Sequence, residues 1–359
     1  MWLAIMNSNF TIPSICYKSY SRYEHEILLE VNQSLIDSKN DTVRKNTLHI
    51  KPSFLYQDLK FHQEMMKNFF YYNEINLLKK YIKWRYRVYF HRQIELDYLL
   101  YEYEIWKMIT KKFIDPLCLI SINAVYDWLI KNHHQFLQEG LQEKLFLDTP
   151  LDEELYHYAV CGDFDSFYTL AKTHCTTLSS FCDFFSTHIT NITQYVGYEW
   201  EINKLSVAKE HLSSNIIEKT AFHLLEQFPI EKKKKGTILI AGAKDEYHFL
   251  GGKIAIAILE RMGLTVINLG ANTPKKELLS IYSEFYCDCI ILVASLPTNL
   301  ELISETIKEI KKYDSEEQTQ IIISGNAFSS LQNPMKTFGT ELYFKNYTQM
   351  YQFFIQKSF

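Results

Sequence analysis

The chain has 359 residues, enough for two or three domains with substantial cores. Apolar residues make up 47% and aromatics 15%, with the 25 Tyr and 24 Phe concentrated in the first two thirds, which excludes disorder there. A net charge of −4 gives no general basic footprint for nucleic acid, and no apolar run reaches the roughly 18 residues that a membrane span needs.

Met1–Met6 is too short for the apolar core of a signal peptide. The seven cysteines show no CxxC spacing. Cys287 and Cys289 border an apolar run, and Cys175 and Cys182 stand at helical spacing, so reduced packing cysteines and a cytoplasmic location are expected. Residues 1–50 are weakly patterned and read as a lead-in segment. Residues 51–148 read as a helical domain of unknown role. There is no glycine between Pro52 and Gly140, Leu77, Tyr81, Trp84 and Val88 mark one helical face, and Asp115-Pro116 marks a helix boundary. No helix-turn-helix pattern is present. His62, His91, His133 and His134 are read as structural, or else as candidates for a second tetrapyrrole such as a bilin.

Residues 149–230 read as a bundle of four helices beginning near Asp152, Asp163, Ser179 and Ser206. Ile189, Ile192, Val196 and Trp200 share one helical face. Asn203-Lys204 reads as a turn, and an N-cap at Ser206 places Glu210 and His211 in the first turns of the last helix. Pro229–Gly236, with four consecutive lysines, reads as a solvated linker.

From Gly236 to Phe359 the pattern alternates strand and helix five times. The strands are Thr237–Ala243, Thr265–Asn268, Ile291–Leu296, Gln320–Ser324 and Glu341–Phe344, with a last helix near Asn346–Gln356. Such alternation predicts a five-stranded, doubly wound, flavodoxin-like parallel sheet covered on both faces. The expected fold class is therefore α and α/β: an N-terminal helical region, a four-helix-bundle cap and a C-terminal Rossmann-like domain. In that topology the loops after strands one, three and four meet at one edge of the sheet, where ligands bind.

One of those loops holds Glu246-Tyr247-His248, followed by Gly251 and Gly252, between the first strand and a helix over Lys253–Met262. A neutral imidazole can give one ring nitrogen to a metal while the other donates its proton to a carboxylate, which fixes the tautomer and strengthens the ligand. Glycines at such a turn let the backbone approach a bulky ligand. Leu269–Pro274 follows the second strand, with Pro274 in the first turn of a helix. Ser295 ends the third strand, and Ser324-Gly325-Asn326-Ala327-Phe328 follows the fourth. Each segment, taken singly, is also ordinary turn chemistry.

The pattern E-x-H-x-x-G resembles the cobalamin-binding motif, usually D-x-H-x-x-G, of the B12-binding domain family. The resemblance implies that His248 is the lower ligand of cobalt in place of the cofactor's own base, with Glu246 behind it. It also implies that Ser295 and Gly325 line the cleft for the nucleotide tail. Ser324 replaces the first glycine of the family's G-G-x-A-F turn, which leaves the close approach to Gly325. Trp200, nine intervening residues and then Glu210-His211 resemble the helical cap of the light-responsive, adenosylcobalamin-dependent regulators. There the tryptophan covers the upper face of the corrin and the Glu-His pair lies near the upper axial group. Glu201 stands where those repressors carry a histidine that can ligate cobalt, and carboxylate is a harder, weaker partner for cobalt. The resemblance thus implies a cobalamin-binding sensory protein, a photoreceptor carrying adenosylcobalamin, with output through a protein partner or a homo-oligomer. A corrinoid methyl carrier of a methyltransferase system, a dual B12 and bilin photoreceptor and a cofactor-free interaction module are the alternatives. No catalytic constellation independent of cobalt is evident.

Overall fold

The computed structural model describes residues 10–49, 52–232, 235–314 and 318–357. The Met1–Met6 reading and Lys233-Lys234 of the lysine run lie outside the described residues. By compactness the chain forms two units, residues 1–144 with 201–203, and residues 145–200 with 204–359.

The first unit is helical: α1 (Ser14–Arg22), α2 (Glu24–Ile36), α3 (Asp41–His49), α4 (Pro52–Tyr72), α5 (Ile75–His91), α6 (Asp97–Phe113), α7 (Pro116–Lys131) and α8 (His133–Gln142). The reading of residues 1–50 as a lead-in is corrected here. Ile27, Leu28, Val31 and Leu35 recur at helical spacing along α2 and are all buried, so this segment belongs to the core. Cys175, Cys182, Cys287 and Cys289 are free and buried, as expected of packing cysteines, but Cys16 of α1 and Cys118 of α7 depart from that expectation and form a disulfide. The two lie 102 residues apart, so no local spacing could announce the pair. Asp115 caps α7, its side chain accepting from Leu117 N at 2.9 Å. Inside the unit, the Arg85 guanidinium donates to Asp58 at 2.6 Å and to Glu102 at 2.8 Å. Arg87 donates from Nε and Nη2 to one oxygen of Glu201, at 2.9 and 2.7 Å.

The second unit opens with α9 (Pro150–Cys161), α10 (Phe164–His174) and α11 (Leu178–Phe184). A π-helical turn, Phe185–Ile189, then leads into α12 (Thr190–Glu201), and α13 (Val207–Leu225) follows. Local chemistry sets these starts. Thr149 and Asp152 form a capping box, while Asp163, Thr177 and Ser206 accept from backbone N–H groups of their first turns. The α/β part of the same unit alternates β1 (Thr237–Gly242), α14 (Leu250–Arg261), β2 (Thr265–Gly270), α15 (Lys275–Glu284), β3 (Cys289–Val293), α16 (Leu300–Tyr313), β4 (Gln320–Ser324), α17 (Pro334–Phe338), β5 (Leu342–Phe344) and α18 (Tyr347–Gln356). The five strands are parallel in the order β2-β1-β3-β4-β5. β3 is buried along its whole length, as a sheet covered on both faces requires. The chain leaves β1 towards one side of the sheet and β3 towards the other, so the crevice between them is the topological switch point.

The helices and the sheet of this unit share one hydrophobic core, which runs from Leu155 and Phe185 to Ile240 and Ile291. Residues 149–230 and 236–359, read from sequence as successive domains, thus fall in one compact unit. Thr348 at the start of α18 donates from its backbone N to Ser186 Oγ at 3.0 Å, and Lys253 of α14 pairs with Glu218 of α13 at 2.7 Å. Among the described residues no helix is long and apolar enough to cross a membrane.

Candidate functional site

The loop between β1 and α14 is built around one buried carboxylate. Glu246 is 0% exposed. Its Oε1 accepts from His248 N at 2.8 Å, and its Oε2 accepts from Ser295 N at 2.5 Å, Leu296 N at 3.3 Å and Asn299 Nδ2 at 3.1 Å. The loop after β1 is thereby tied to the loop after β3 across the switch point. Burial pushes the Glu246 carboxyl up, but the hydrogen bonds from His248, Ser295 and Asn299 together hold it below its ordinary range.

His248 is the opposite case, with a side chain 67% exposed. Its Nδ1 lies 3.5 Å from Glu246 Oε1. The hydrogen bond to Glu246 raises its proton affinity, desolvation lowers it, and the charges of Glu246 and of Glu210 on α13 add to the rise, for a net increase. Since Nδ1 is the nitrogen that faces the carboxylate, Nε2 is the one left to meet a ligand. The loop behind it is stiffly held. Ser295 Oγ donates to His248 O at 2.7 Å, Asn272 N donates to Glu246 O at 3.0 Å, and Asp245 N donates to Asn272 Oδ1 at 2.8 Å.

Phe249 anchors the loop from below and is 4% exposed. A Cβ on Gly252 would lie 2.5 Å from its ring, so only glycine fits there. Gly251 meets only Tyr347 Oη, at 3.6 Å from where a Cβ would stand, and keeps the helix start open. Gly325 has φ +113° and would place a Cβ 2.2 Å from Ala294 O. Its glycine is demanded first by the close approach of the β3 and β4 ends.

On the helical side, Trp200 is half-buried and packs on the shared core. Glu199, the residue before it, accepts from Tyr156 Oη at 2.6 Å, which fixes the end of α12 against α9. Ser206 caps α13, so Glu210 and His211 stand in its first turns. The two are paired, His211 Nδ1 lying 2.6 Å from Glu210 Oε2, and the His211 side chain is 71% exposed. Glu201 is committed to Arg87 in the first unit, which gives the departure from histidine at this position a structural reason.

The structure therefore brings Glu246, His248, Gly251, Gly252, Ser295 and Gly325 to one edge of the sheet, and the charge of Glu210 reaches His248. Sequence reasoning missed Asn299 and Phe249. The run Ser295-Leu296-Pro297 at the β3 end carries a signal for the first, since a proline there starts a turn that sets Asn299 beneath the loop. Of the histidines considered for a second tetrapyrrole, His62 is 0% exposed and His133 3%, the latter with Nδ1 2.6 Å from Tyr86 Oη.

No protein-family model matches the sequence, and no curated protein matches it. Among solved structures the chain is similar to a cobalamin-binding protein from Desulfitobacterium hafniense DCB-2, at 15% identity over 57% of this chain and 97% of that one, TM-score 0.32. It is similar to the monomethylamine corrinoid protein of Methanosarcina barkeri, at 14% identity over 57% and 97%, TM-score 0.49. A third is the methanol:cobalamin methyltransferase complex of the same organism, at 15% identity over 60% and 83%, TM-score 0.32. With scores this low, the site is read from its own residues.

Proposed function

We propose that the second unit binds cobalamin with its own base displaced, His248 serving as the lower axial ligand. The observation that carries this reading is the pairing of an exposed imidazole with a buried, multiply bonded carboxylate at the switch point of a doubly wound sheet. The donor set suits the group. A single imidazole supplies one axial nitrogen, and a macrocycle brings the other ligands with it. Glu246 holds the imidazole's orientation and its tautomer, Ser295 and Asn272 hold the loop, and Gly251 leaves room at its edge. Ser295 and Gly325 flank the cleft for the nucleotide tail, while Trp200 offers a planar surface and Glu210-His211 offers polar contacts to the other face.

When bound, cobalamin supplies a cobalt–carbon bond whose organic group can be released by light or passed to an acceptor. Our finer reading is a sensory protein that carries adenosylcobalamin and acts without catalysis. Trp200, Glu210 and His211 would line the side of the cofactor that carries the organic group, and a protein partner or a second copy would register its loss only by binding the two states differently. The wide exposure of His248 and His211, 67% and 71%, favours a second reading, a methyl carrier that presents its metal to other enzymes.

Titration with adenosyl- and methylcobalamin, followed by size-exclusion runs in darkness and after illumination, separates the two. The sensor prefers adenosylcobalamin and changes size or shape in light. A preference for methylcobalamin without any light response makes the protein a carrier.

A further inference from the structure

The loop after β2, Leu269–Pro274, reads in the sequence as ordinary turn chemistry, yet it is folded around the histidine loop. Gly270 has φ +71°, and its N donates to Asn268 Oδ1 at 2.8 Å. Thr273 N donates to Gly242 O at 3.1 Å and Thr273 Oγ1 to Leu269 O at 3.1 Å, which pins the loop on the end of β1. Asn272 is thereby held beside Asp245-Glu246-Tyr247. Its backbone N donates to Glu246 O at 3.0 Å, its Oδ1 accepts from Asp245 N at 2.8 Å, and its Nδ2 donates to Tyr247 Oη at 3.4 Å. One asparagine thus contacts each of the three residues before His248.

Asn272 and Asp245 share a second feature. Both adopt left-handed backbone, φ +52° and +63°, without being glycine. Asparagine and aspartate tolerate that region better than other side chains, but it still costs free energy. Both residues are exposed, so burial does not offset the cost. Strain of this kind persists where surrounding contacts over-determine it, and it gathers at functional sites. The contacts here are those between the two loops, and they close on the segment that carries the imidazole. Asp245 and Tyr247 flank Glu246, whose Oε1 accepts from His248 N.

We propose that Asn272 is a positioning residue for His248, fixing the direction in which the β1–α14 loop presents the imidazole. β1 lies between β2 and β3 in the sheet. Ser295 and Asn299 hold the Glu246 carboxylate from the β3 side, and Asn272 holds the same loop from the β2 side. Its bond to Glu246 O comes from the backbone and survives any substitution that keeps the N–H. The side chain is what ties down Asp245 and Tyr247. The role as a positioning residue rests on the reading of His248 as a ligand, whereas the clasp between the loops exists without a cofactor.

The test compares the full-length protein with Asn272→Gly and Asn272→Asp. Glycine accepts left-handed backbone and keeps the N–H, so Asn272→Gly removes only the side-chain contacts, and its melting temperature stays within about 2 °C of wild type. In the cofactor-free protein, amide hydrogen exchange at Asp245 and His248 becomes about tenfold faster. Adenosylcobalamin binds about tenfold more weakly, the low end of the effect of a ligand's supporting partners, and the histidine-ligated spectrum is diminished. Asn272→Asp keeps an acceptor for Asp245 N and restores wild-type exchange and most of the affinity. Unchanged exchange and affinity in Asn272→Gly, or an Asn272→Asp protein as impaired as the glycine variant, overturns the proposal. A wild type that binds no cobalamin refutes the His248 reading instead, and the exchange rates alone then uphold or overturn the clasp.

Discussion

Two histidines, one in each unit, stand next to charged groups with opposite consequences: His62 beside the Arg85 guanidinium and His248 beside the Glu246 carboxylate. His62 is 0% exposed, ringed by Tyr81, Tyr103, Trp106 and Tyr126, with Arg85 Nη1 3.3 Å from its Nδ1. Arginine can only donate, so Nδ1 accepts, the proton sits on Nε2, and Nε2 finds no partner among the described residues. Burial, and then the Arg85 charge, push its proton affinity well below the ordinary value. His248 has its Nδ1 towards Glu246, its ring in solvent and its proton affinity raised. The first unit packs its histidine and charges into a core; the second sets an exposed imidazole over a buried carboxylate. What differs is which imidazole is buried: His62 is enclosed in the core, whereas His248 is exposed over the buried Glu246 carboxylate.

The largest expected effect falls on the buried ion pair of the first unit. Arg85→Met leaves Glu102, which burial already pushes up to about 7, without its counter-charge. Removing one partner of a buried pair costs about 3–5 kcal/mol. Urea denaturation should show that loss, while the cobalamin spectrum stays as in wild type. Weakened cobalamin binding with intact stability would erase the contrast between the units.

Next comes Glu246→Gln. The amide has one oxygen for donors that now share two, and its NH2 must face backbone N–H groups. A loss of about 1.5–3 kcal/mol, the range for hydrogen bonds to a charged group, is expected, together with about 10–100-fold weaker cobalamin binding. Binding loss without stability loss would reduce Glu246 to a partner of the imidazole alone. Gly325→Ala forces a left-handed φ on a residue with a Cβ and drives that Cβ into Ala294 O, for a cost of about 1–3 kcal/mol from the backbone alone. Its effect on cobalamin should follow displacement of Ala294 and Ser295, just past the end of β3, and thermal melts with cobalamin titrations read both.

The smallest effect is the difference in titration between the two histidines. In the cobalamin-free protein, histidine NMR should show His248 titrating above 6.5 and His62 staying neutral until well below it. The signs for stability are opposite. The raised His248 contributes stability below the unfolded value that is lost as pH rises through its folded value. Neutral His62 opposes folding as pH falls below 6.5, where the unfolded chain takes up a proton that the folded core refuses. For ligation, protons compete with cobalt, so His248 coordination should fade on acidification at a higher pH than for an ordinary histidine. In Glu246→Gln the His248 midpoint should fall; a midpoint that stays put would remove the carboxylate from the account.

The alternating sheet was legible because each strand is a short apolar run closed by turn residues, and a parallel sheet buried on both faces demands just that pattern. The histidine loop was legible because glycines, carboxylate and imidazole lie within seven residues of one another, from Glu246 to Gly252. Asn299 was not, since its contact with Glu246 spans 53 residues and depends on the strand order. The roles of α1 to α3 were hidden for a related reason. Their buried faces are short and interrupted by polar residues, and only packing on α4, α6 and α7 makes them core. Glu201 could be noticed as a departure from histidine, but its partner Arg87 is 114 residues away.

If His248 is the lower ligand, the absorption spectrum of the cobalamin-loaded protein reports it. Wild type and His248→Ala should be compared in darkness, loaded with adenosylcobalamin at neutral pH. His248 is an exposed loop residue whose side chain supports no core, so the variant should fold with stability within about 0.5 kcal/mol of wild type. Wild type should show a base-displaced, histidine-ligated spectrum. In the variant that signature is absent and the cofactor is lost on gel filtration. A His248→Ala protein that retains adenosylcobalamin with the wild-type spectrum would contradict it.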